Sequence, residues 1–387
     1  MLNNIKEDFG SMEQEKNKIL PRSVLILAIL PILTLIAVPY YGIVYGFKPL
    51  DWFWFGFFMI SCGISITAGY HRLWSHRAYK SNIFFKIFFL IFGTASLQNS
   101  VIHWSSDHRK HHRFLDDPKK DPYAAPKGFF FAHMGWMFKN TTENMDDRSD
   151  VEDLKKEALL RFQDKYYTPL AIFTCFILPL LIGASYGSAL GCFLLVGLAR
   201  LVLIHHFTFF INSLAHFSGK KTYDADSSPR DNALVSLVTF GEGYHSFHHK
   251  FPGDYRNGVN WYDFDPSKWL IFLSEKCNIA KNLKRTPKQM ILKAKLIAEY
   301  KNTNKSPINS TASDYLALIE EQYQKYSKSI LEWSQAQQKV LIAKKDRLIR
   351  TEVIIIKKQY KMVKKKAIAE KRKWEILLNQ YSHPAKI

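Results

Sequence analysis

Residues 52–76 read WFWFGFFMISCGISITAGYHRLWSH, an apolar stretch that ends in two histidines five positions apart. Its first part, residues 52–69, carries no charged side chain and approaches the ~20 apolar residues that a bilayer span requires. His71 and His76 follow directly, where such a span would leave the membrane. Imidazole suits iron, copper, zinc and nickel. The stretch therefore places two candidate metal ligands at the edge of a predicted membrane span.

The rest of the chain alternates between similar apolar runs and strongly charged segments. Basic residues are concentrated in 70–166 and 212–387, so the positive-inside bias predicts that both termini and both polar regions are cytoplasmic. The first apolar run is too long for a signal-peptide core and no small-residue cleavage site follows it, so we expect it to be retained. We predict four membrane spans, at residues 23–46, 52–69, 168–186 and 188–211.

The run at residues 83–102 is ambiguous, because its length and hydropathy alone would allow it to span the membrane. If it did, the histidines before it and the histidines after it would face opposite sides of the bilayer. A single metal site would then be impossible. We therefore expect 83–102 to form a helix that lies in or dips into the membrane without crossing it.

The formal charge of +20 is placed mainly in the tail, since residues 281–387 hold 25 Lys and Arg residues against nine Asp and Glu residues. Residues 312–382 contain no Pro or Gly and are rich in good helix formers, which predicts one or two long basic helices. The predicted organisation has a cytoplasmic N-terminal segment, a membrane domain and a basic helical extension, at residues 1–22, 23–285 and 286–387.

Eight histidines form three clusters, one spaced HxxxxH and two spaced HxxHH. Positions i, i+3 and i+4 share one face of a helix, so each HxxHH cluster can offer up to three imidazoles to one centre. Five residues turn an α-helix by about 140°, so the HxxxxH pair needs a helix end or a distortion to converge. The clusters are His71 and His76; His108, His111 and His112; and His245, His248 and His249.

Eight ligands are too many for one ion and suitable for two. A structural zinc site normally uses Cys ligands, and the four cysteines of this chain show no CxxC spacing. Two metal ions on one face of the membrane are thus the prediction from spacing alone.

The clusters and their flanking residues resemble those of membrane acyl-CoA desaturases of the stearoyl-CoA type, from about residue 45 to about residue 285. The matching segments are Thr67-Ala-Gly-Tyr-His-Arg-Leu-Trp-Ser-His-Arg-Ala-Tyr79, Gln98-Asn99, Trp104-Ser-Ser-Asp-His-Arg-Lys-His-His112, Asn212-Ser-Leu-Ala-His216 and Gly241-Glu-Gly-Tyr-His-Ser-Phe-His-His249. Their order and separation make the resemblance specific.

The resemblance implies an all-α integral membrane fold. Four transmembrane helices, an interfacial helix and a cytoplasmic helical cap would hold a di-iron centre, followed here by the basic extension. Spacing alone would not have selected His216 or Asn212. The implied iron ligands are His71, His76, His108, His111, His112, His216, His245, His248 and His249, with Asn212 through a water.

The implied activity is O₂-dependent insertion of a cis double bond, at carbon 9 in the family, into a saturated fatty acyl-CoA. By the same resemblance, Asn99, Trp104, Asp107, Arg200 and Thr208 are expected to bind substrate. Ser106 stands where animal members carry Arg, which removes a possible phosphate contact and leaves an acyl-lipid or acyl-carrier-protein substrate open.

The sequence contains no Gly-rich dinucleotide fingerprint, CxxC cluster or haem motif, so we expect a separate cytochrome- or ferredoxin-type carrier and its reductase to supply electrons. The basic tail is a candidate docking surface for an acidic carrier or anionic lipid, or a solvated extension; nothing beyond charge supports nucleic-acid binding. Two alternative functions remain open. A related histidine-cluster hydroxylase would use the same metals, although the flanking sequences favour desaturation. A metal transporter would place its ligands within spans, near the midplane, whereas the clusters of this chain flank the predicted spans.

Overall fold

The computed structural model describes residues 19–138, 147–304, 313–346 and 350–382, and these are mainly helical. The helices, in chain order, are α1 (Pro21–Val44), α2 (Pro49–Ser75), α3 (Ile83–Thr94), α4 (Val101–Arg113), α5 (Phe129–His133), α6 (Glu152–Lys155), α7 (Ala158–Lys165), α8 (Tyr167–Ala184), α9 (Ala189–Phe217), α10 (Ala233–Val238), α11 (His245–Lys250), α12 (Pro266–Lys276), α13 (Lys288–Asn304), α14 (Ser313–Lys345) and α15 (Arg350–Ser382). Short 3₁₀ turns lie at Ala125–Lys127, Gly135–Met137 and Ser149–Val151. Strands β1 (Lys80–Ser81) and β2 (Ala280–Lys281) pair antiparallel, with Lys80 opposite Lys281.

Helices α1, α2, α8 and α9 are long and apolar enough to cross a membrane, and they correspond to the four predicted spans. Their outer surfaces are apolar, as lipid contact requires; Ile43 of α1, for example, is 85% exposed. Helices α2 and α9 continue past the predicted ends at residues 69 and 211, to Ser75 and Phe217. The prediction of an all-α integral membrane protein is confirmed, and two of its spans extend into the histidine region.

The expectation of one helix over 83–102 was wrong in extent. Leu97 and Asn99 take left-handed backbone conformations, with φ of 52° and 72°, and these end the helical path after α3. A new helix, α4, then begins at Val101, and its N-cap is Ser100, whose side chain accepts a hydrogen bond from the backbone N–H of His103. The remaining apolar helix α3 has 12 residues, about 18 Å of length, and is too short to cross ~30 Å of hydrocarbon.

Close packing of α2 on α3 fixes the position of the first histidine cluster. A Cβ atom at Gly69 would lie 2.7 Å from Cβ of Phe89, and one at Gly93 would lie 2.2 Å from Cε1 of Tyr70. Glycine is thus required on both helices for their approach. The buried core around this contact includes Trp74, Phe89, Val101, Leu160 and Ile271 and joins α2, α3, α4, α7 and α12.

The chain divides into two compact units, one of residues up to Lys220 with Ser227–Arg285, the other of Lys221–Asp226 with Thr286–Ile387. In the second unit, α14 and α15 are antiparallel, because Glu332 pairs with Lys366 and Tyr323 contacts Trp374. The core of this unit contains Leu296, Ile319, Tyr326, Ile330 and Trp374. The basic extension is therefore helical, as predicted. The functional boundaries after residues 22 and 285 stay predictions, and residues 1–18 of the N-terminal segment lie outside the described residues.

Candidate metal centre

The last turns of α2 bring His71 together with His76, the residue that follows the helix, through a change of helix type. Residues Ser65–Ser75 form a π-helix, in which hydrogen bonds run from i+5 to i. The backbone N–H of His76 donates to the carbonyl of His71 at 3.1 Å, so the two residues become neighbours. Their ring centroids lie 4.8 Å apart. This wide turn is the distortion that the HxxxxH spacing requires.

The HxxHH cluster of α4 divides between two groups of ligand atoms. His108 and His112 lie one turn apart and face α2, with Nε2 of His108 2.8 Å from Nε2 of His76. His111 points instead toward His216 and His249, at centroid distances of 5.3 and 4.9 Å. One helix thus supplies side chains to both groups.

The third cluster, on α11, divides in the same way. His248 approaches His71 and His112, with Nε2–Nε2 distances of 2.9 Å in each case. His245 approaches His216, which lies in the last turn of α9, with 3.1 Å between their Nε2 atoms. All nine histidines of the implied ligand set thereby fall into two groups, the first of His71, His76, His108, His112 and His248, and the second of His111, His216, His245 and His249.

Each group is tight enough to surround one ion, since its ligand atoms lie within 4.8 Å of one another. The two groups are direct neighbours. The rings of His112 and His249, one from each group, stack at 4.2 Å with an angle of 14°. Two adjacent cation sites, each lined by imidazole nitrogens, are the simplest description of this geometry.

Carboxylates fix the orientation of two of these rings. Nδ1 of His71 lies 3.0 Å from Glu242, and Nδ1 of His111 lies 2.8 Å from Asp121. An ionised carboxylate only accepts hydrogen bonds, so the network assigns the ring hydrogen to Nδ1 in both histidines. The lone pair on Nε2 of each ring is then directed away from the carboxylate and toward its group.

A serine does the same for His216. Its Nδ1 lies 2.6 Å from Oγ of Ser228, and that hydroxyl donates to Asp116 at 2.5 Å. The hydroxyl hydrogen is used on Asp116, so Ser228 accepts from His216 and the lone pair again lies on Nε2. Such outer hydrogen bonds are the usual means by which a protein fixes the tautomer of a metal-binding histidine.

The donor set fits metal ions. Lone pairs that face other ring nitrogens at 2.9–3.1 Å would repel one another without a cation between them. Two ligands at right angles, each about 2.1 Å from one ion, lie about 3 Å apart, which matches this spacing. Nε2 of His111 is buried and has no hydrogen-bond partner among the described residues. A metal ligand role accounts for that atom.

Burial also keeps these imidazoles neutral, the form that binds metals. Burial, followed by the proximity of the other imidazoles, lowers the pKa values well below the ordinary range of histidine. Outside the spans this holds for His76, His108, His112, His245, His248 and His249.

A buried ionic network anchors the first group to the rest of the fold. Arg72, which follows the first histidine, pairs with Glu242 and with Asp265 at 2.9 Å each. Burial alone would raise the pKa of Glu242, but His71 and Arg72 hold it below its usual value. Glu242 is therefore a carboxylate that links a candidate ligand to a buried guanidinium.

Two of the residues expected to bind substrate lie near the histidines on α4. Trp104 stacks on His108, with ring centroids 5.0 Å apart. Asp107 faces Arg148, with 3.9 Å between the charged atoms. Ser106, between them in sequence, donates to a carboxylate oxygen of Asp150 at 2.7 Å.

The other expected residues lie around the break before α4 and on α9. The backbone N–H of Asn99 donates to the hydroxyl of Tyr167 at 3.0 Å. Thr208 accepts from Gln98 at 2.9 Å. Arg200 is buried within α9, where its guanidinium donates to the backbone of Val196 and Ala95 and to the sulfur of Cys62. Asn212 ends a continuous helical stretch of α9, four residues before His216 of the second group.

A surface cavity of about 690 Å³ opens beside the first turn of α4. Its lining carries four cationic side chains and one carboxylate, so its charge is positive. The lining residues are Ile102, Arg148, Lys155, Arg161, Asp164 and Lys165. His108 lies six positions after Ile102 on α4, which is about 9 Å along the helix. The cavity and the metal groups are thus connected by one rigid element.

Sequence reasoning missed Glu242, Asp121, Ser228 and Arg148. Asp121 occurs in a polar stretch that contains Asp116 and Asp117, and Glu242 lies far from its partner in sequence; their histidine partners are 10 and 171 positions away, respectively. Glu242 stands within the quoted Gly241–His249 segment, which was the available signal. No comparable signal singles out Ser228 or Arg148.

Comparison with known proteins places these features in a family. The family model for fatty acid desaturases matches residues 19–271. Acyl-CoA desaturase 1 of Saccharomyces cerevisiae is 43% identical over 244 residues, which cover 63% of this chain and 48% of that protein. Stearoyl-CoA desaturase 5 of Bos taurus is 37% identical over 249 residues, or 63% of this chain and 74% of that protein.

An acyl-CoA Delta(11) desaturase of Spodoptera littoralis is 37% identical over 261 residues, which cover 65% of this chain and 76% of that protein. The chain spans about half the length of the yeast relatives that it matches. The family match contains the four candidate spans and both histidine groups. This chain belongs to the fatty acid desaturase family.

Proposed function

We propose that this protein is an O₂-dependent fatty acyl desaturase with two iron ions, one in each histidine group. The observation that carries the proposal is the pair of adjacent all-imidazole groups, whose rings His112 and His249 are in contact. The nine histidines of these groups would be the iron ligands, and Asn212 would complete the set through a water. Iron suits imidazole ligands, and its redox chemistry distinguishes it from zinc.

The reaction removes two hydrogens from adjacent methylenes and forms a carbon–carbon double bond. One O₂, two electrons and two protons enter, the two substrate hydrogens join them, and two waters leave. When bound, iron supplies the O₂ activation that no acidic or basic side chain provides at neutral pH. The protein's own residues have to hold the ligands, exclude water and align the chain.

Ligand orientation is assigned to the outer hydrogen bonds. Glu242 and Asp121 hold the rings of His71 and His111, and Ser228 holds His216. Water exclusion is assigned to burial, since most of the nine histidines are buried. A dry, preorganised site of this kind strengthens electrostatic interactions and avoids side reactions.

Alignment of the acyl chain is assigned to side chains at the membrane edge of the site. Trp104 contacts both the ring of His108 and the ring of His71, so an acyl chain beside this indole would pass close to the first group. Thr208 and Gln98 connect α9 to the break before α4, next to Asn99. The contacts of Arg200 are with backbone and Cys62, and its role in substrate binding rests on family resemblance alone.

We assign the head group of an acyl-CoA to the basic cavity beside α4. Its four cations match the phosphates of coenzyme A. The hydroxyl of Ser106 donates to Asp150 and therefore does not replace the phosphate contact of an arginine at this position. Arg148, however, pairs with the adjacent Asp107 and lines the cavity. Arg148 would therefore supply the positive charge that position 106 lacks.

We propose carbon 9 as the position of the new double bond, on the basis of family resemblance. One relative is named an acyl-CoA Delta(11) desaturase, so the position of the double bond needs a test of its own. We also propose that both termini and the metal centre lie on the cytoplasmic side, as the distribution of basic residues indicates. A separate electron carrier of the cytochrome or ferredoxin type, with its reductase, would then reach the centre from that side.

Product analysis tests this function. The full chain, reconstituted in bilayers with iron, a reducing system and stearoyl-CoA, should consume O₂ and yield a cis-monounsaturated product, with the bond located by mass spectrometry. A hydroxylated product with no alkene would contradict desaturation and indicate a related hydroxylase. Turnover of a phospholipid-bound chain, but not of acyl-CoA, would contradict the head-group assignment. The His111→Ala variant is the inactive control.

A further inference from the structure

The outer face of α15 carries a regular pattern that its packing on α14 does not use. Ile355, Met362, Ala369 and Ile376 are seven residues apart and therefore lie along one side of the helix; we call them the apolar row. Ile355, Met362 and Ile376 are 58–59% exposed. Large apolar side chains in line on a polar helix mark a contact surface.

A second row runs beside the first. Lys358, Lys365 and Arg372 are also seven residues apart, each three positions after a member of the apolar row; we call them the basic row. All three are exposed. In the part of the chain that the structure describes, none of them forms an ion pair, and their charges remain available.

Other lysines of the same helix are used internally. Lys366 pairs with Glu332 of α14, Lys371 with Glu375 and Lys373 with Glu370, each at 2.9 Å. The helix thus separates lysines that form ion pairs, one with α14 and two within α15, from cations that face outward beside exposed isoleucine and methionine. Substitution of the three ion-paired lysines is therefore a matched control for substitution of the basic row.

A second copy of the chain is a poor occupant of this face. A helix–helix seam needs apolar residues at alternating spacings of three and four. The positions that would complete such a seam here are Lys358, Lys365 and Arg372, so pairing two copies would bring like charges together. The buried and half-buried side of α15 does have the apolar spacing, with Ile356, Tyr360, Val363, Ala367 and Trp374 on it, and Trp374 contacts Tyr323 of α14.

We propose that the apolar row and the basic row bind an anionic lipid surface. Aliphatic side chains flanked by lysine and arginine are the pattern of helices that lie in a membrane interface, where the cations contact lipid phosphates. The candidate spans of the same chain hold it in a membrane, so the lipid surface is present at high effective concentration. This inference needs the spans but not the catalytic proposal.

A fluorescence experiment tests the binding on the full chain. In a Cys277→Ser background, Ala369→Cys places an environment-sensitive fluorophore in the apolar row, since the other three cysteines are buried. The protein is reconstituted in lipid nanodiscs that contain a spin-labelled quencher lipid and either phosphatidylcholine alone or phosphatidylcholine with phosphatidylserine. We expect strong quenching only with phosphatidylserine, and little quenching of a label at Gln335→Cys on α14.

Two triple variants decide whether the face is responsible. Lys358→Gln with Lys365→Gln and Arg372→Gln should lower the bound-to-free ratio by about fivefold for each residue removed. Lys366→Gln with Lys371→Gln and Lys373→Gln removes the same charge and should retain quenching, with helicity checked by circular dichroism. Equal losses in both triples, or equal quenching in both lipids, would overturn the proposal. The proposal would also be overturned if the fluorescence of the label at position 369 responded to an added acidic polypeptide and not to the lipid, which would indicate a protein partner.

Discussion

Oε2 of Glu242 lies 3.0 Å from Nδ1 of His71, a histidine whose Nε2 approaches that of His248 at 2.9 Å. The carboxylate acts on the outer nitrogen while the inner one remains a lone-pair donor. The same Glu242 neutralises the buried Arg72. The candidate metal site and the buried ionic network around Arg72 therefore share one side chain.

Replacing Glu242 by Gln should weaken metal binding. The amide keeps the size of the side chain and loses its charge, so His71 becomes a weaker ligand and its tautomer is less well fixed. Changes of this kind cost about 10–100-fold in metal affinity. Competition with a chelator, followed by metal analysis, measures the loss. Asp265→Asn is the control, because Asp265 pairs with Arg72 and touches no histidine of the two groups; equal losses in both variants would contradict the specific role.

His111→Ala should abolish activity and reduce bound metal with the membrane fold retained. The substitution removes a member of the second group whose Nε2 has no other partner among the described residues. His103→Ala is the matched control, because His103 lies on the same helix and in neither group. Turnover and iron content are measured on both proteins. Substantial turnover in His111→Ala would remove that residue from the ligand set.

Acidification should release the metal. In the folded, metal-free site, burial lowers the pKa values of histidines such as His108 and His248. In the unfolded chain, the same histidines have the ordinary pKa of about 6.5. The unfolded state thus binds more protons, so the stability of the site is fully present above about pH 6.5 and falls as the pH drops below it. Iron retained after dialysis at a series of pH values measures this. Unchanged retention between about pH 7.5 and 5 would contradict it.

Arg148→Ala should raise KM for acyl-CoA. The substitution removes one of four cations from the cavity and leaves the metal groups intact. Hydrogen bonds to charged groups contribute ~1.5–3 kcal/mol, so an increase of roughly tenfold in KM with little change in kcat is expected. Lys119→Ala, at an exposed position that does not line the cavity, should leave KM unchanged. Equal effects of the two substitutions would remove Arg148 from the head-group site.

Local spacing predicted much of the fold because membrane spans and helix faces are local properties of the chain. The apolar runs indicated α1, α2, α8 and α9, and the two HxxHH clusters indicated helices that present several imidazoles. The break between α3 and α4 was missed, since it depends on left-handed conformations at Leu97 and Asn99, and neither residue type requires them.

Local spacing also could not predict how the histidines divide between the two groups. His111 and His112 are neighbours in sequence and belong to different groups, because successive residues of a helix point in different directions. His216 has no cluster of its own, so only family resemblance drew attention to it. The partners that orient the rings, such as Ser228 for His216, depend on how loops meet in space.

The central claim is that the two groups bind two iron ions, and the metal content of the purified full chain tests it most directly. Elemental analysis against protein concentration should give two irons per chain, falling by at least one in both His108→Ala and His245→Ala, which affect different groups. A single zinc per chain, or iron content unchanged by either substitution, would contradict the account.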